Sequence, residues 1–257
     1  MLRKDELAQI AETKHLSLLN AQRDYVLELI LFALYTHTKN EFVFKGGTAM
    51  YKLYKLNRFS EDLDFTLMKH RRAIPRILQK VIKQLSEIGV FARVKEVKEF
   101  RQHINVYLEC KGPLYNGNKD SLLFIPLNIS LREKVQHADF EMLFSSYREI
   151  PSFEVYTMKE IEIVAEKVRA ILSRDKARDV YDLWFLLKKG IALDEMLITK
   201  KLKIAGMHFN KKDLLHAIAA KEKLWELDLQ KLILGNLPSF RKVQEELIRF
   251  FDKSNAA

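Results

Sequence analysis

A short apolar run, a glycine pair and two aspartates one residue apart narrow what residues 42–67 can form. Phe42–Phe44 leads into Gly46–Gly47, and the segment TAMYKLYKL that follows carries helical spacing. Arg58 and Ser60 come next, then Asp62 and Asp64 alternating with Leu63 and Phe65. On a strand, residues i and i+2 point to one face, so both carboxylates sit side by side while Leu63 and Phe65 enter the core. Paired carboxylates repel unless a cation lies between them, and Mg²⁺ prefers hard oxygen ligands of this kind. The glycines let the backbone approach a phosphate at a helix N-terminus, where unpaired N–H groups and the dipole favour negative charge. A glycine pair or a D-x-D alone is usually a turn or a solvated strand edge. The order strand, glycine pair, helix, Asp-x-Asp is far more specific and predicts a nucleotide-handling site.

With these residues in view, the chain resembles a known group. GG[ST] followed by Asp-h-Asp-h is the signature of the DNA polymerase β-like nucleotidyltransferases. The wording KGGTAM…RFSEDLDF is similar to the nucleotidyltransferase toxins of the AbiEii/AbiGii family, found in toxin–antitoxin and phage-defence loci. A second block, EKVRAILSRDKARDVYDL at 166–183, resembles that family's later motifs. The resemblance spans roughly residues 26–190, and the last sixty match only as a generic helical tail.

The expected fold is α+β in two lobes: a polymerase β-like mixed sheet with helices over 1–155, then a helical lobe over 156–257 completing an active-site cleft. Residues 16–38 read as a buried helix, 42–45 and 62–67 as strands, and 72–88 as an amphipathic helix. FARVKEVKEF, HINVYLEC and SLLFIPLNISL read as a three-stranded meander, with Asn116–Gly117 in a turn. FEVYTM is a short extended stretch, and helical patterns follow at 159–173, 177–189, 194–202, 211–222 and 238–252.

The resemblance implies an enzyme that transfers a nucleoside monophosphate from an NTP to an RNA, tRNA, with Mg²⁺. Asp62 and Asp64 would hold the metal. Lys45, Gly46, Gly47, Thr48, Arg58 and Ser60 would bind the donor, Lys167 would contact its phosphates, and Asp179 or Asp182 would support the metal or orient that lysine. On residues alone, Lys167 with Asp179 and Asp182 reads first as helix-pairing electrostatics, and it is the resemblance that makes them site residues. A phosphate-contacting Lys167 should be replaceable by alanine with little change in thermal midpoint. Enzymes of this superfamily usually carry a third carboxylate on a later core strand, where this chain offers Asn128. Asn can ligate a metal but cannot act as a base.

A formal charge of +10 over 257 residues permits polyanionic partners. Lys200, Lys201, Lys211 and Lys212 are weak candidates for an RNA platform in the helical lobe, and His103 is a weaker one on a strand. Cys110 is the lone cysteine, no apolar run reaches membrane-spanning length, and the N-terminus lacks a signal-peptide pattern. These features fit a cytoplasmic protein, and the resemblance implies a cognate antitoxin. Transfer onto a protein side chain, a non-catalytic nucleotide- or RNA-binding module and a helical scaffold are the rivals. No HExxH, CxxC or P-loop supports zinc hydrolysis or Walker-type chemistry.

Overall fold

The strand Phe42–Lys45 (β1), the helix Gly46–Leu53 (α3) and the strand Leu63–Leu67 (β2) anchor a mixed seven-stranded sheet in a computed structural model that describes residues 1–132 and 134–253. Two helices precede them, Lys4–Thr13 (α1) and Leu18–His37 (α2), and Ile74–Glu87 (α4) follows. The remaining strands are Phe91–Glu99 (β3), His103–Lys111 (β4), Leu123–Ser130 (β5), Ala138–Leu143 (β6) and Phe153–Met158 (β7). Their order across the sheet is β3-β4-β5-β2-β1-β7-β6. β3, β4 and β5 form the antiparallel meander, while β5 with β2 and β1 with β7 run parallel.

Alternation assigns the two faces. Ile104, Val106 and Leu108 of β4 and Leu123, Ile125, Leu127 and Ile129 of β5 are buried. α4 lays its stripe of Ile74, Leu78, Val81 and Leu85 on that side. β1, central in the sheet, is buried at all four positions, as expected for a strand covered on both faces. In β2, Leu63, Phe65, Thr66 and Leu67 are buried, and only Asp64 is half-exposed.

This sheet belongs to one of two compact units, Met1–Lys55 with Phe59–Met158. The other unit takes Leu56–Arg58 and the residues from Lys159 onward. It is helical: Glu160–Ser173 (α5), Ala177–Lys188 (α6), Glu195–Ile204 (α7), Lys211–Ala219 (α8), Trp225–Leu229 (α9) and Phe240–Lys253 (α10). α5 packs on α6, α7 and α8, and α6 packs on α9 and α10. Leu56–Arg58 is strapped to this unit by a β-bridge from Arg58 to Ile233 and by the Tyr181 hydroxyl, which donates to Asn57 Oδ1 at 2.6 Å.

The α+β architecture matches the expectation, and three elements add to it. α1, β6 and α9 carried no distinct signal. The segment 211–222 is helical only to Ala219, and 238–252 begins its helix at Phe240.

Candidate active site

The glycine pair does more than precede the helix: α3 begins at Gly46 itself. Gly46 has φ +74°, a left-handed conformation that side chains rarely adopt. A Cβ there would lie 2.3 Å from Asp64 Oδ2, so the Asp64 carboxylate rests directly on the Gly46 backbone. The N-terminus of α3, with its outward N–H groups, is thereby set against an aspartate of the next strand. Thr48, fully buried, donates its hydroxyl to the Asp62 carbonyl and ties the first turn of α3 to the entry of β2.

Cross-strand register completes the row. Lys45 stands opposite Asp64, Asp64 beside Asn128, and Asn128 opposite Asn105. Asn128 Nδ2 donates to Asp64 Oδ1 at 3.0 Å. Asn128 thus stands beside Asp64 on the neighbouring strand and holds it in place. Ser60 is half-exposed just before β2. Among the described residues no group of three or more His, Cys, Asp and Glu side chains is placed to hold a metal. Mg²⁺ asks for less, one or two carboxylates completed by substrate phosphates and water. Asp64 at a phosphate-attracting helix terminus fits that donor set, whereas Asp62 is half-exposed and precedes β2, so the expected pairing of the two carboxylates on one strand face is not what the strand itself provides.

A support that sequence reasoning missed lies behind α3. Lys52, in its last turn, reaches Asp24 Oδ1 at 2.7 Å and also pairs with Glu28, both on α2. Asp24 further accepts from Lys14 Nζ at 2.8 Å and from the Tyr147 hydroxyl at 2.7 Å. Burial works against ionised Asp24, yet Lys52 and Lys14 overcome it and hold its carboxyl below the usual range. The available signal was two carboxylates, Asp24 and Glu28, at i and i+4 in a helix that reads as buried.

In the helical unit, Lys167 of α5 and Asp179 and Asp182 of α6 meet as predicted, and they are buried. Lys167 Nζ lies 2.6 Å from Asp182 Oδ2 and 3.0 Å from Asp179 Oδ1. Arg58 grips the same Asp182 with two parallel bonds, Nε to Oδ1 and Nη2 to Oδ2, each 2.7 Å. Arg174 bonds to both oxygens of Asp179. Burial favours the neutral carboxyls, but Arg58 and Lys167 at Asp182, and Lys167 and Arg174 at Asp179, hold both pKa values down. Lys167 is likewise held protonated, burial being overcome by Asp182 and Asp179.

Two expectations change. Arg58 is 2% exposed and committed to Asp182, so it serves as an internal ion-pair partner rather than a donor-phosphate ligand. The Lys200–Lys212 platform also breaks up. Lys201 is buried, 2.5 Å from Glu162 Oε1, and Lys211 bonds to the Phe251 carbonyl and to Asp252. Lys200 and Lys212 are exposed.

Comparison with known proteins identifies the family and the fold. The sequence profile of the family described as nucleotidyl transferase AbiEii toxin, type IV toxin–antitoxin system, matches residues 30–246. The chain belongs to that family of nucleotidyltransferase toxins. Its fold is shared with MenT4, a nucleotidyltransferase toxin from Mycobacterium tuberculosis H37Rv, at a TM-score of 0.69 and 19% identity over 98% of this chain and 89% of that one. It is also shared with JHP933 from Helicobacter pylori, at a TM-score of 0.59 and 22% identity over 93% and 97% of the two chains. An uncharacterised protein of Aquifex aeolicus (strain VF5) is 26% identical over 193 residues, 73% of this chain and 79% of the relative.

Proposed function

We propose that this toxin transfers a nucleoside monophosphate from an NTP to an RNA acceptor, tRNA, in a Mg²⁺-dependent reaction. The observation that carries the reading is the contact of the Asp64 carboxylate with the Gly46 backbone, which joins a phosphate-attracting helix terminus to a metal-binding side chain. Backbone N–H groups at Gly46–Thr48 hold donor phosphates, and Lys45 and Ser60 add charge and a hydroxyl. Asp62 and Asp64 would hold Mg²⁺, which when bound neutralises charge on the reacting oxygens. The acceptor oxygen bonds to the α-phosphorus as the bond to the departing pyrophosphate breaks. Asp64 is the carboxylate in the row Lys45–Asp64–Asn128–Asn105, and it is the group we assign to receive the acceptor proton. Asn128 cannot take that role; it fixes which Asp64 oxygen faces the substrate. Lys167, with Asp179 and Asp182 orienting it, supplies a buried positive charge to the helical unit.

A cytoplasmic location and a cognate antitoxin belong to the same reading. Among the described residues no helix is long and apolar enough to cross a membrane. Asn128 in place of a third carboxylate favours the non-catalytic rival, so the test must separate the two. With α-³²P-labelled NTP and total tRNA, Asp62→Ala and Asp64→Ala should each lose Mg²⁺-dependent labelling while keeping the parent's circular dichroism. Parent-rate labelling by both variants would falsify the metal assignment. A parent protein that binds NTP and never transfers label would establish the non-catalytic module.

A further inference from the structure

The face of the sheet that carries Asp64 continues past Asn128 onto β4 and β3, and there its side chains change character. The register runs Asp64, Asn128, Asn105, Lys98 across four strands, so Lys98 lies three strand spacings, roughly 14 Å, from the proposed reaction centre. Along the same face lie Tyr107 of β4, opposite Pro126, and Phe124 of β5, opposite Glu109. Phe91, opposite Lys111, completes it at the sheet edge. Phe91 is 48% exposed and Phe124 37%, unusual for large apolar rings on a strand whose other face is a buried core. Each aromatic is matched by a cation. Lys95 Nζ sits 3.9 Å above the Phe124 ring, Lys111 Nζ 4.8 Å from that of Phe91, and Lys98 Nζ 5.5 Å from that of Tyr107. Lys95 reaches Phe124 because the register shifts between Val94 and Glu96, a bulge that re-aims the strand. Two carboxylates share the face: Glu109 is taken up by Arg93 at 2.7 Å, and Glu96 lies 3.4 Å from Lys98.

Exposed rings alternating with lysines on an open sheet form the chemistry that binds single-stranded nucleic acid: bases stack on the rings while cations follow the phosphates. Paired bases present no free π-face, so a duplex does not use such a surface. We infer that the β3–β5 face is the acceptor track. On it an unpaired RNA end lies with bases on Phe91, Phe124 and Tyr107 and phosphates on Lys95, Lys98 and Lys111, pointing its terminal hydroxyl along the Asn105–Asn128 row to Asp64. The inference rests on the proposed transfer to RNA and moves the RNA contact from the helical unit to the sheet.

The experiment measures binding of a fluorescein-labelled single-stranded RNA oligonucleotide by anisotropy, without NTP, across a salt series. Lys95→Ala with Lys98→Ala should flatten the slope of log K against log salt by about 1.4, two phosphates at ~0.7 each. Phe91→Ala and Phe124→Ala should each weaken binding roughly 5- to 150-fold, the range for one stacked base, while Phe124→Tyr binds like the parent. All four positions are exposed, so the thermal midpoint should stay at the parental value. Unchanged slope and affinity in these variants overturn the track. So does a slope that falls instead in Lys200→Ala with Lys212→Ala. Binding is read without NTP, so a parent that binds the oligonucleotide through these residues and never transfers label fails the transfer chemistry while keeping the track, and the two failures give different results.

Discussion

Asp182→Ala should lower the thermal midpoint by about 6–20 °C. Asp182 is fully buried and neutralises two cations, Arg58 through two bonds and Lys167 through one. Its removal leaves both charges without their shared partner in a site water does not reach. Breaking a buried ion pair by deleting one side costs about 3–5 kcal/mol. For a chain of this size each kcal/mol moves the midpoint by about 2–4 °C. Arg174→Ala, by contrast, removes a side chain that is 53% exposed, and such pairs contribute ~0–1 kcal/mol. The folded Asp182 and Asp179 have lowered pKa values, so their contribution is fully present above the ordinary aspartate value of about 3.9 and is lost as pH falls below it. Asp182→Ala should therefore melt less steeply with acid than the parent. Calorimetry from neutral pH to below pH 4 reads both effects, and a variant midpoint matching the parent at neutral pH would remove the cluster's structural role. The same geometry revises the expectation for Lys167→Ala. This lysine holds two buried carboxylates apart, so the substitution must lower stability as well as activity.

Gly46→Ala is the second large effect, and it falls on activity. The alanine Cβ would have to occupy space 2.3 Å from Asp64 Oδ2 while its own backbone sits at φ +74°. Either Asp64 moves away from the α3 terminus or the helix start moves away from Asp64. Displacement of a reacting group by about 1 Å can cost roughly 100-fold in rate, and the backbone strain adds of order 1–3 kcal/mol to the stability loss. Turnover with saturating NTP should therefore fall by roughly 100-fold or more, with only a moderate drop in midpoint. Gly117→Ala is the comparison: its φ is also positive, but no atom lies within 4 Å of the added Cβ, so strain alone is felt and turnover stays near the parent value. Equal turnover in both variants would show that the Gly46–Asp64 contact has no bearing on the reaction.

Local pattern carried much of the fold because the relevant forces were local. Alternation in β4 and β5 specified the meander and the stripe of α4 its buried side, whereas Asn116–Gly117 lies within a long connection from Lys111 to Leu123 rather than in a tight hairpin turn. α9, five residues long, is too short to show a period, and β6 mixes Asp139 and Glu141 with exposed Phe140 and Met142. The site divided in the same way. Gly46 with Asp64, and Lys167 with Asp179 and Asp182, lie close enough along the chain for spacing to suggest them. The fork of Arg58 on Asp182 joins residues 124 apart, and nothing at position 58 says that its charge is already taken. Lys201 fails as a surface cation for the same reason, because Glu162 on another helix claims it. The aromatic track escaped notice because its rings and lysines come from three strands and form one surface only once register is known.

Transfer of a nucleotide onto RNA is the central claim, and the label itself tests it. The protein is incubated with Mg²⁺ and each α-³²P-labelled NTP in turn, in the presence of total tRNA and total protein, and the products are separated. The account predicts label in the tRNA band, with one NTP preferred, dependent on Mg²⁺ and on Asp62 and Asp64. Label in a protein band, or in RNA at an undiminished rate with both aspartates replaced, would contradict it.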